Sequence, residues 1–345
     1  MLGVAVVAVC RRSAAIRGWR ELSSSPCASV PTIALNDGTE HPAIGYGTYK
    51  VGVVPASASS AVAGGAESAG ATAASCEQCV GAALDLGYRM LDMAEFYGNE
   101  TEVGAAIAAS KLPRGALYLA SKCWTTTMHA GPRAVRGQVE RTLASLGTDY
   151  LDLYLLHWPV PGFHVDAYRE LQRCQREGLV RSIGVSNYTI EDAEELAHAD
   201  GVHVTPAINQ IEVNPLLYRR NTVEYFQGRG IVVQAYRALC DGKAFDNSVV
   251  CDIGRKHGRR PAQILGRWSL QKGLVYLPKS VNPARMQENM QVFDFELDGS
   301  DVSRLDALTG AAALHGFQAL YEKCVVRDTP LPLDHPSVKR TVTCD

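Results

Sequence analysis

The sequence has no apolar run near the roughly 20 residues that cross a bilayer as a helix. Its longest, Leu2 to Cys10, is about half that length. It has no surplus of either charge: 34 basic against 36 acidic residues give a formal net charge of −2 over 345 residues. That balance leaves no electrostatic footprint for nucleic acid or an acidic membrane surface. The ten cysteines lack the regular spacing of a disulfide framework, which favours free thiols in a reducing compartment. No strand leads into G-x-G-x-x-G, because Gly45-Tyr-Gly47 lacks the third glycine and follows a hairpin. The dinucleotide-binding doubly wound sheet is therefore disfavoured. These absences leave a soluble intracellular protein with neither nucleic acid nor membrane as a partner.

What is present is a chain that is 46% hydrophobic, enough for the large core of one α/β barrel. Residues 1–30 stand apart. Arg11, Arg12, Arg17 and Arg20 precede the first acid, Glu21, and serines 23–25 follow, the composition of an organelle transit peptide. A disordered extension with no address reads equally well, so the expected location is cytoplasmic, or mitochondrial or plastid if the segment is a transit peptide. Thr32–Leu35 and the segment from Ala43 flank Asn36-Asp-Gly38, a hairpin-turn signal. Residues 54–75 are almost entirely Ala, Ser and Gly and read as a low-complexity surface insertion.

From Cys76 onward helical and strand patterns alternate. The first helix should bury Cys76, Cys79, Val80, Ala83 and Leu84 and stop at Gly87. Strands are expected at Arg89–Asp92, Leu117–Lys122, Tyr150–His157, Arg181–Asn187, Ala207–Glu212, Ile231–Tyr236 and Leu274–Lys279, with an eighth near Val292–Leu297. Helical patterns such as Pro132–Leu146, Ala167–Glu177 and Ile190–Ala199 separate most of them. Eight strands at roughly 25–45-residue intervals match a (β/α)8 barrel over residues 31–310, preceded by an N-terminal β-hairpin. The remaining tail, 311–345, carries Pro330, Pro332 and Pro336 and reads as mostly extended.

The strand ends carry the chemistry. Asp92, Lys122 and His157 each close a buried strand, and Tyr97 lies just beyond Asp92. In a parallel barrel these ends converge on one mouth. An ammonium near a phenol favours the phenolate and lowers its pKa, a carboxylate positions the ammonium, and an imidazole offers a hydrogen bond to a substrate oxygen. Together they form a general-acid assembly for delivering a proton to a carbonyl. Taken singly, each has a plain structural reading: a core histidine, a rim ion pair, a loop aromatic. The ordered set favours catalysis. Cys76-x-x-Cys79 has no second pair and lies on a buried helical stripe, so it reads as core rather than as a metal or redox motif. Asp152, Tyr154 and Trp268 read as barrel or helix packing.

With these residues in place, the chain from Thr32 to Thr309 resembles the aldo-keto reductases. The resemblance rests on Asn36-Asp-Gly38, Gly45-Tyr-Gly-Thr-Tyr-Lys50, Gly87-Tyr-Arg-Met-Leu-Asp-Met-Ala94, Tyr97-Gly-Asn-Glu100, Ser121-Lys-Cys-Trp124 and Leu155-Leu-His-Trp-Pro159. It continues through Ile183-Gly-Val-Ser-Asn187, Asn209-Gln-Ile-Glu-Val-Asn-Pro215, Pro278-Lys-Ser-Val281 and Arg285-Met-Gln-Glu-Asn289. It implies a catalytic tetrad of Asp92, Tyr97, Lys122 and His157, with Tyr97 as proton donor and hydride from nicotinamide C4. It further implies that Ser186, Asn187 and Gln210 hold the carboxamide and that Tyr236 stacks on the ring. Lys279, Ser280 and Arg285 would grip a 2′-phosphate, pointing to NADPH/NADP+, and Glu288 and Asn289 would contact adenine. A cationic pair beside hydroxyl and backbone donors suits a phosphate dianion.

The chain departs from the family after its sixth expected strand. Arg237-Ala-Leu239 stands where the family usually has Ser-Pro-Leu, so Arg237 is expected to replace the serine's pyrophosphate contact, and Leu239 is counted among the cofactor-binding residues. Tyr49 stands where Trp is frequent, and with Phe96, Trp124 and Trp158 it should line an aromatic, apolar pocket. The family's tail often closes over substrate. The leading expectation is a monomeric NADPH-dependent reductase of small carbonyl compounds. The alternative is a non-catalytic nucleotide-binding barrel that serves as a partner subunit, as channel β subunits of the superfamily do.

Overall fold

The computed structural model describes residues 30–52 and 74–326. The amino-terminal extension, nearly all of the low-complexity segment and the chain after Val326 lie outside the described residues. An antiparallel hairpin, β1 (Thr32–Ala34) and β2 (Glu40–Pro42), comes first. Its turn uses Gly38 at φ +84°, and the Asp37 carboxylate accepts from the backbone N–H and the hydroxyl of Thr39. The return strand is thus Glu40–Pro42, and the segment from Ala43 does something else: it enters the barrel.

Eight parallel strands follow: β3 (Tyr46–Gly47), β4 (Met90–Asp92), β5 (Tyr118–Cys123), β6 (Leu151–Leu156), β7 (Val180–Ser186), β8 (Ile208–Glu212), β9 (Val232–Tyr236) and β10 (Val275–Tyr276). Each pairs with its sequence neighbour. The ends of the sheet meet where Ile44 forms a parallel bridge to Tyr276. Tyr276 N–H donates to Ala43 O at 2.9 Å, Gly45 N–H to Tyr276 O at 3.0 Å and Gly47 N–H to Pro278 O at 3.0 Å. The chain is a closed (β/α)8 barrel with an N-terminal hairpin, as expected, but one of its strands was misplaced.

Val292–Leu297 is not a strand. Its backbone is bonded by side chains of one face of helix α9 (Pro261–Gln271; the helices α1–α12 are numbered in chain order). Gln263 donates to Gln291 O, Arg267 to Val292 O and Gln271 to Leu297 O, while Leu297 N–H donates back to Gln271. The eighth strand is instead Tyr46–Gly47, too short and too rich in glycine to signal itself. Glycine is needed there: a Cβ on Gly45 would stand 2.0 Å from the Met90 sulfur.

Side chains alternate across the wall with the period of two that strands impose. In β6, Leu153 and Leu155 face the barrel interior, while Tyr154 and Leu156 pack outward against the helices. Helix α1 (Cys76–Asp85) buries Cys76, Cys79, Val80, Ala83 and Leu84, and its N-cap is Ser75 in a capping box with Gln78, so the helix signal begins inside the span read as low complexity. Both cysteines are core thiols. Trp268 is fully buried with its indole N–H on Asp306, and Tyr154 is core, while Asp152 pairs with Arg114 and Arg181. The hairpin plugs the amino-terminal end: Leu35 joins the interior cluster, His41 is fully buried and Asn36 donates to Pro206 O.

The tail expected to be extended begins as a helix over residues 311–326, and residues 327–345 lie outside the described residues. Helix α12 (Ala311–Val326) sets Phe317, Tyr321, Cys324 and Val325 against Trp124, Trp158 and Leu217. Phe317, Tyr321, Cys324 and Val325 follow the period of a single helical face; Pro330, Pro332 and Pro336 lie beyond Val326, outside the described residues. Among the described residues no helix is long and apolar enough to cross a membrane.

Two glycines test the packing. Gly104, in α2 (Glu100–Ser110), would place a Cβ 2.2 Å from Ser145 O and 3.0 Å from Leu146 Cα of α4 (Pro132–Leu146). Gly104→Ala should lower the urea midpoint by the equivalent of about 1–3 kcal/mol, although alanine favours an isolated helix by about 1 kcal/mol. Gly81→Ala in α1, with nothing within 4 Å, should raise it by about 0.5–1 kcal/mol. A stabilised Gly104→Ala protein would contradict the close α2–α4 approach.

Candidate active site

Lys122 sits inside the carboxyl-terminal half of β5 with its side chain wholly buried. A buried ammonium costs several kcal/mol unless it is compensated, and here every donor has a partner. Its Nζ lies 2.9 and 3.0 Å from the two oxygens of Asp92, 2.7 Å from Met93 O and 3.2 Å from the Tyr97 hydroxyl. Asp92 ends β4, directly beside β5. Tyr97 is carried round by a 3-10 turn, Glu95–Tyr97, that ends on Gly98 at φ +66°. His157, the first residue past β6, completes the group: its ring lies 5.9 Å from that of Tyr97 and nearly perpendicular to it. The four residues that sequence placed at successive strand ends do meet.

Burial governs their protonation. It holds the Tyr97 phenol well above its ordinary pKa, and the Asp92 charge adds to the effect. The lowering expected from a neighbouring ammonium is not the net result, because Lys122 is neutralised by Asp92 at closer range. Burial also pulls the Lys122 pKa down, with Asp92 opposing it. Burial and the Lys122 charge hold the His157 imidazole well below 6.5. Tyr97 is therefore a protonated donor and His157 a neutral ring, with Nδ1 buried and unbonded among the described residues.

The residues expected around a nicotinamide are drawn into the same net. Ser186 Oγ donates to Gln210 O, and Asn187, at φ +62°, donates its amide to His157 O and Ser186 Oγ. The Tyr236 hydroxyl donates to Asn187 Oδ1 at 2.7 Å. Gln210 Nε2 donates to Asp92 Oδ1 at 2.8 Å. Further out, Lys279 and Arg285 are exposed and flank Ser280 and the N-cap Asn282 of α10 (Pro283–Met290). Two cations, a hydroxyl and a helix amino terminus form a donor set that fits a phosphate. Glu288 is ion-paired with Arg260 at 2.9 Å, and Asn289 is buried. Leu239 is half-buried. Arg237, at φ +48°, lies 3.0 Å from Glu212 and 3.4 Å from Asp241.

The aromatic wall is assembled as expected and then extended. Phe96 stacks on Trp124 with centroids 4.0 Å apart, Trp124 meets His157 edge-on at 4.9 Å, and Tyr49 lies 5.1 Å from Tyr97. Trp158 meets Tyr321 of α12 at 6.3 Å. Sequence reasoning missed Phe317 and Tyr321, whose i,i+4 spacing was the available signal. It also missed Glu95, which accepts from the Trp124 backbone N–H at 2.7 Å and the Thr127 hydroxyl at 2.6 Å and so fixes the start of the short helix Thr125–His129. Asn99 donates to Thr48 O and Val51 O, pinning the Tyr49 turn.

The closed eight-stranded barrel brings a buried carboxylate–ammonium–phenol group and a histidine together at its carboxyl-terminal mouth, a set of groups of the kind used in general acid–base chemistry. The chain belongs to the aldo/keto reductase family, whose model matches residues 43–309. It is 38% identical over 287 residues to an aldo-keto reductase of Mycobacterium sp. (strain JLS), covering 83% of this chain and 95% of that one. It is 36% identical over 283 residues to a glyoxal reductase of Bacillus subtilis (strain 168), covering 82% and 94% respectively. The crystal structure of an aldo/keto reductase from Brucella melitensis superposes with a TM-score of 0.71 at 35% identity, covering 81% of this chain and all of that one. Membership makes the protein an oxidoreductase of small carbonyl compounds that works with a nicotinamide cofactor.

Removing one member of the central pair should cost far more than removing both. Lys122→Met strands a buried carboxylate and is expected to destabilise by about 3–5 kcal/mol. Asp92→Leu combined with Lys122→Met should recover most of that loss in urea unfolding. Additive losses in the double variant would show that the two charges do not compensate each other.

Proposed function

We propose that the protein is an NADPH-dependent reductase that converts aldehydes, and ketones of modest size, to alcohols. The observation that carries this reading is the Lys122 ammonium held between the Asp92 carboxylate and the Tyr97 hydroxyl. When bound, the reduced nicotinamide supplies the hydride. Tyr97 gives its proton to the substrate oxygen, and Lys122 stabilises the phenolate that results, a charge that burial alone would disfavour. Asp92 keeps Lys122 charged and aimed. His157, neutral, offers an N–H to the same oxygen and orients the carbonyl. Phe96, Trp124, Trp158, Phe317 and Tyr321 exclude water, which strengthens each of these electrostatic contacts.

Lys279, Ser280 and Arg285 support the preference for the 2′-phosphate of NADPH, and Ser186, Asn187 and Gln210 are assigned to the carboxamide, with Tyr236 on the ring face. Glu288 and Asn289 are assigned to adenine. Arg237 takes the pyrophosphate in place of serine, exchanging its exposed partner Asp241 for the ligand while keeping Glu212. The relative named a glyoxal reductase places small dicarbonyls first in a substrate panel, alongside larger aldehydes that match the aromatic wall.

Tyr97→Phe removes one hydroxyl and leaves the cleft intact. Turnover of an aldehyde panel, followed by NADPH absorbance, should fall by about 10²–10⁴-fold while NADPH still binds. Absence of turnover in the wild type, with NADPH bound tightly, would replace the reductase by the partner-subunit reading. Arg237→Ala should weaken NADPH binding about tenfold, the effect of one charge-assisted hydrogen bond; an unchanged Kd would remove Arg237 from the pyrophosphate site.

A further inference from the structure

A file of buried polar side chains runs through the barrel from the hairpin plug to the central ion pair. His41, on β2, is fully buried, and its Nδ1 lies 2.7 Å from Pro42 O. Its Nε2 lies 2.7 Å from Nε2 of Gln234, a wholly buried side chain of β9. Gln234 Oε1 accepts from Gln210 Nε2 at 2.8 Å, and the same Gln210 nitrogen donates to Asp92 Oδ1 at 2.8 Å. The file has an acceptor at each end, and this fixes the sense of every bond in it. Pro42 O can only accept, so the neutral His41 ring carries its proton on Nδ1 and its Nε2 accepts. Gln234 must then turn its N–H₂ toward His41 and its oxygen toward Gln210. Both hydrogens of the Gln210 amide are thereby consumed inside the barrel, and no hydrogen bond within the described residues reaches its Oε1.

We infer that His41 and Gln234 are positioning residues: they set which end of the Gln210 amide is turned to the mouth, leaving its oxygen for the carboxamide N–H₂ of a nicotinamide and its nitrogen for Asp92. The inference rests on the cofactor assignment proposed above. Neither residue touches cofactor or substrate; both act through Gln210. Burial, opposed in part by the bond to Pro42, pushes the His41 pKa down to about 4, so the ring stays the acceptor that the file requires throughout the neutral range. A leucine at 234 would keep the volume but remove the acceptor that holds Gln210, and a buried amide without its partner reorients or leaves a donor unsatisfied.

The test compares two ligands that share the adenosine bisphosphate end but differ in the nicotinamide. Kd for NADPH and for 2′,5′-ADP is measured by calorimetry with the wild type, Gln234→Leu, His41→Leu and His41→Gln, alongside thermal midpoints. The two leucine variants should bind NADPH about tenfold more weakly and 2′,5′-ADP unchanged. His41→Gln, which restores an acceptor for Gln234 and a donor for Pro42 O, should recover NADPH binding. If Gln234→Leu does not fold, the two His41 variants decide by the same comparison. Equal losses for both ligands, or no recovery in His41→Gln, would mark a purely structural role and overturn the inference. So would unchanged NADPH binding in every variant. A wild type that binds 2′,5′-ADP but not NADPH would instead overturn the cofactor assignment, and this inference with it.

Discussion

Everything at the mouth of this barrel answers to one demand, that an ammonium sealed in an apolar interior be matched on every side. Lys122 cannot be there without Asp92, and Asp92 is there because β4 and β5 are neighbours in register. The pair then dictates what surrounds it. Tyr97 takes the ammonium's remaining direction, Met93 lends a carbonyl, and Gln210 occupies the carboxylate oxygen that faces across the barrel. Burial, with the same charge added, holds the His157 imidazole well below its ordinary pKa. A requirement of burial thus becomes a distribution of protons: a phenol that keeps its hydrogen and an imidazole that does not acquire a second.

The scaffold delivers this by sealing the barrel in two unlike ways. At the amino-terminal end a hairpin inserts Leu35 and His41. Along the seam, two strands of only two residues each are joined through Ala43, Ile44 and Tyr276. Close approach at that seam is paid for in side-chain size, with glycine at 45 where Met90 presses in. The helices between the strands contribute packing, while the segments beyond the strands and helix α12 contribute the aromatic wall.

Much of this could be read from the amino acids. Seven of the eight barrel strands, α4 in full and the inward face of α1 followed from period and turn chemistry, and the four residues of the central group followed from recurrence at strand ends. The failures share a cause: the local signal and the tertiary partner disagreed. Val292–Leu297 has strand-like composition, but its backbone found Gln263, Arg267 and Gln271 rather than another strand. Tyr46–Gly47 has little strand signal and became one because both neighbours were waiting. The tail was judged by its prolines when its helical face lay just before them. The direction of the Tyr97 shift was misjudged because a pairwise rule ignored both burial and the prior claim of Asp92 on the ammonium. Gln234 was legible in principle as the lone polar residue inside the strand Val232–Tyr236, whereas His41 lies on the hairpin and gave no such signal.

Helix α12 has a consequence for how such a molecule can diversify. Phe317 and Tyr321 form one side of the cleft, and Tyr321 is tied to Asp192, a residue already engaged in capping the helix Ile190–His198. None of these side chains belongs to a barrel strand, and their charged neighbours are Arg219 and Asp192 rather than the Asp92–Lys122 pair. On the proposed function, Phe96, Trp124 and Trp158 are bound in sequence to Tyr97, Lys122 and His157, whereas Phe317 and Tyr321 lie in a stretch of their own. On that same proposal, substitutions confined to the last helix alter one side of the cleft and leave the Asp92–Lys122–Tyr97 contacts as they are.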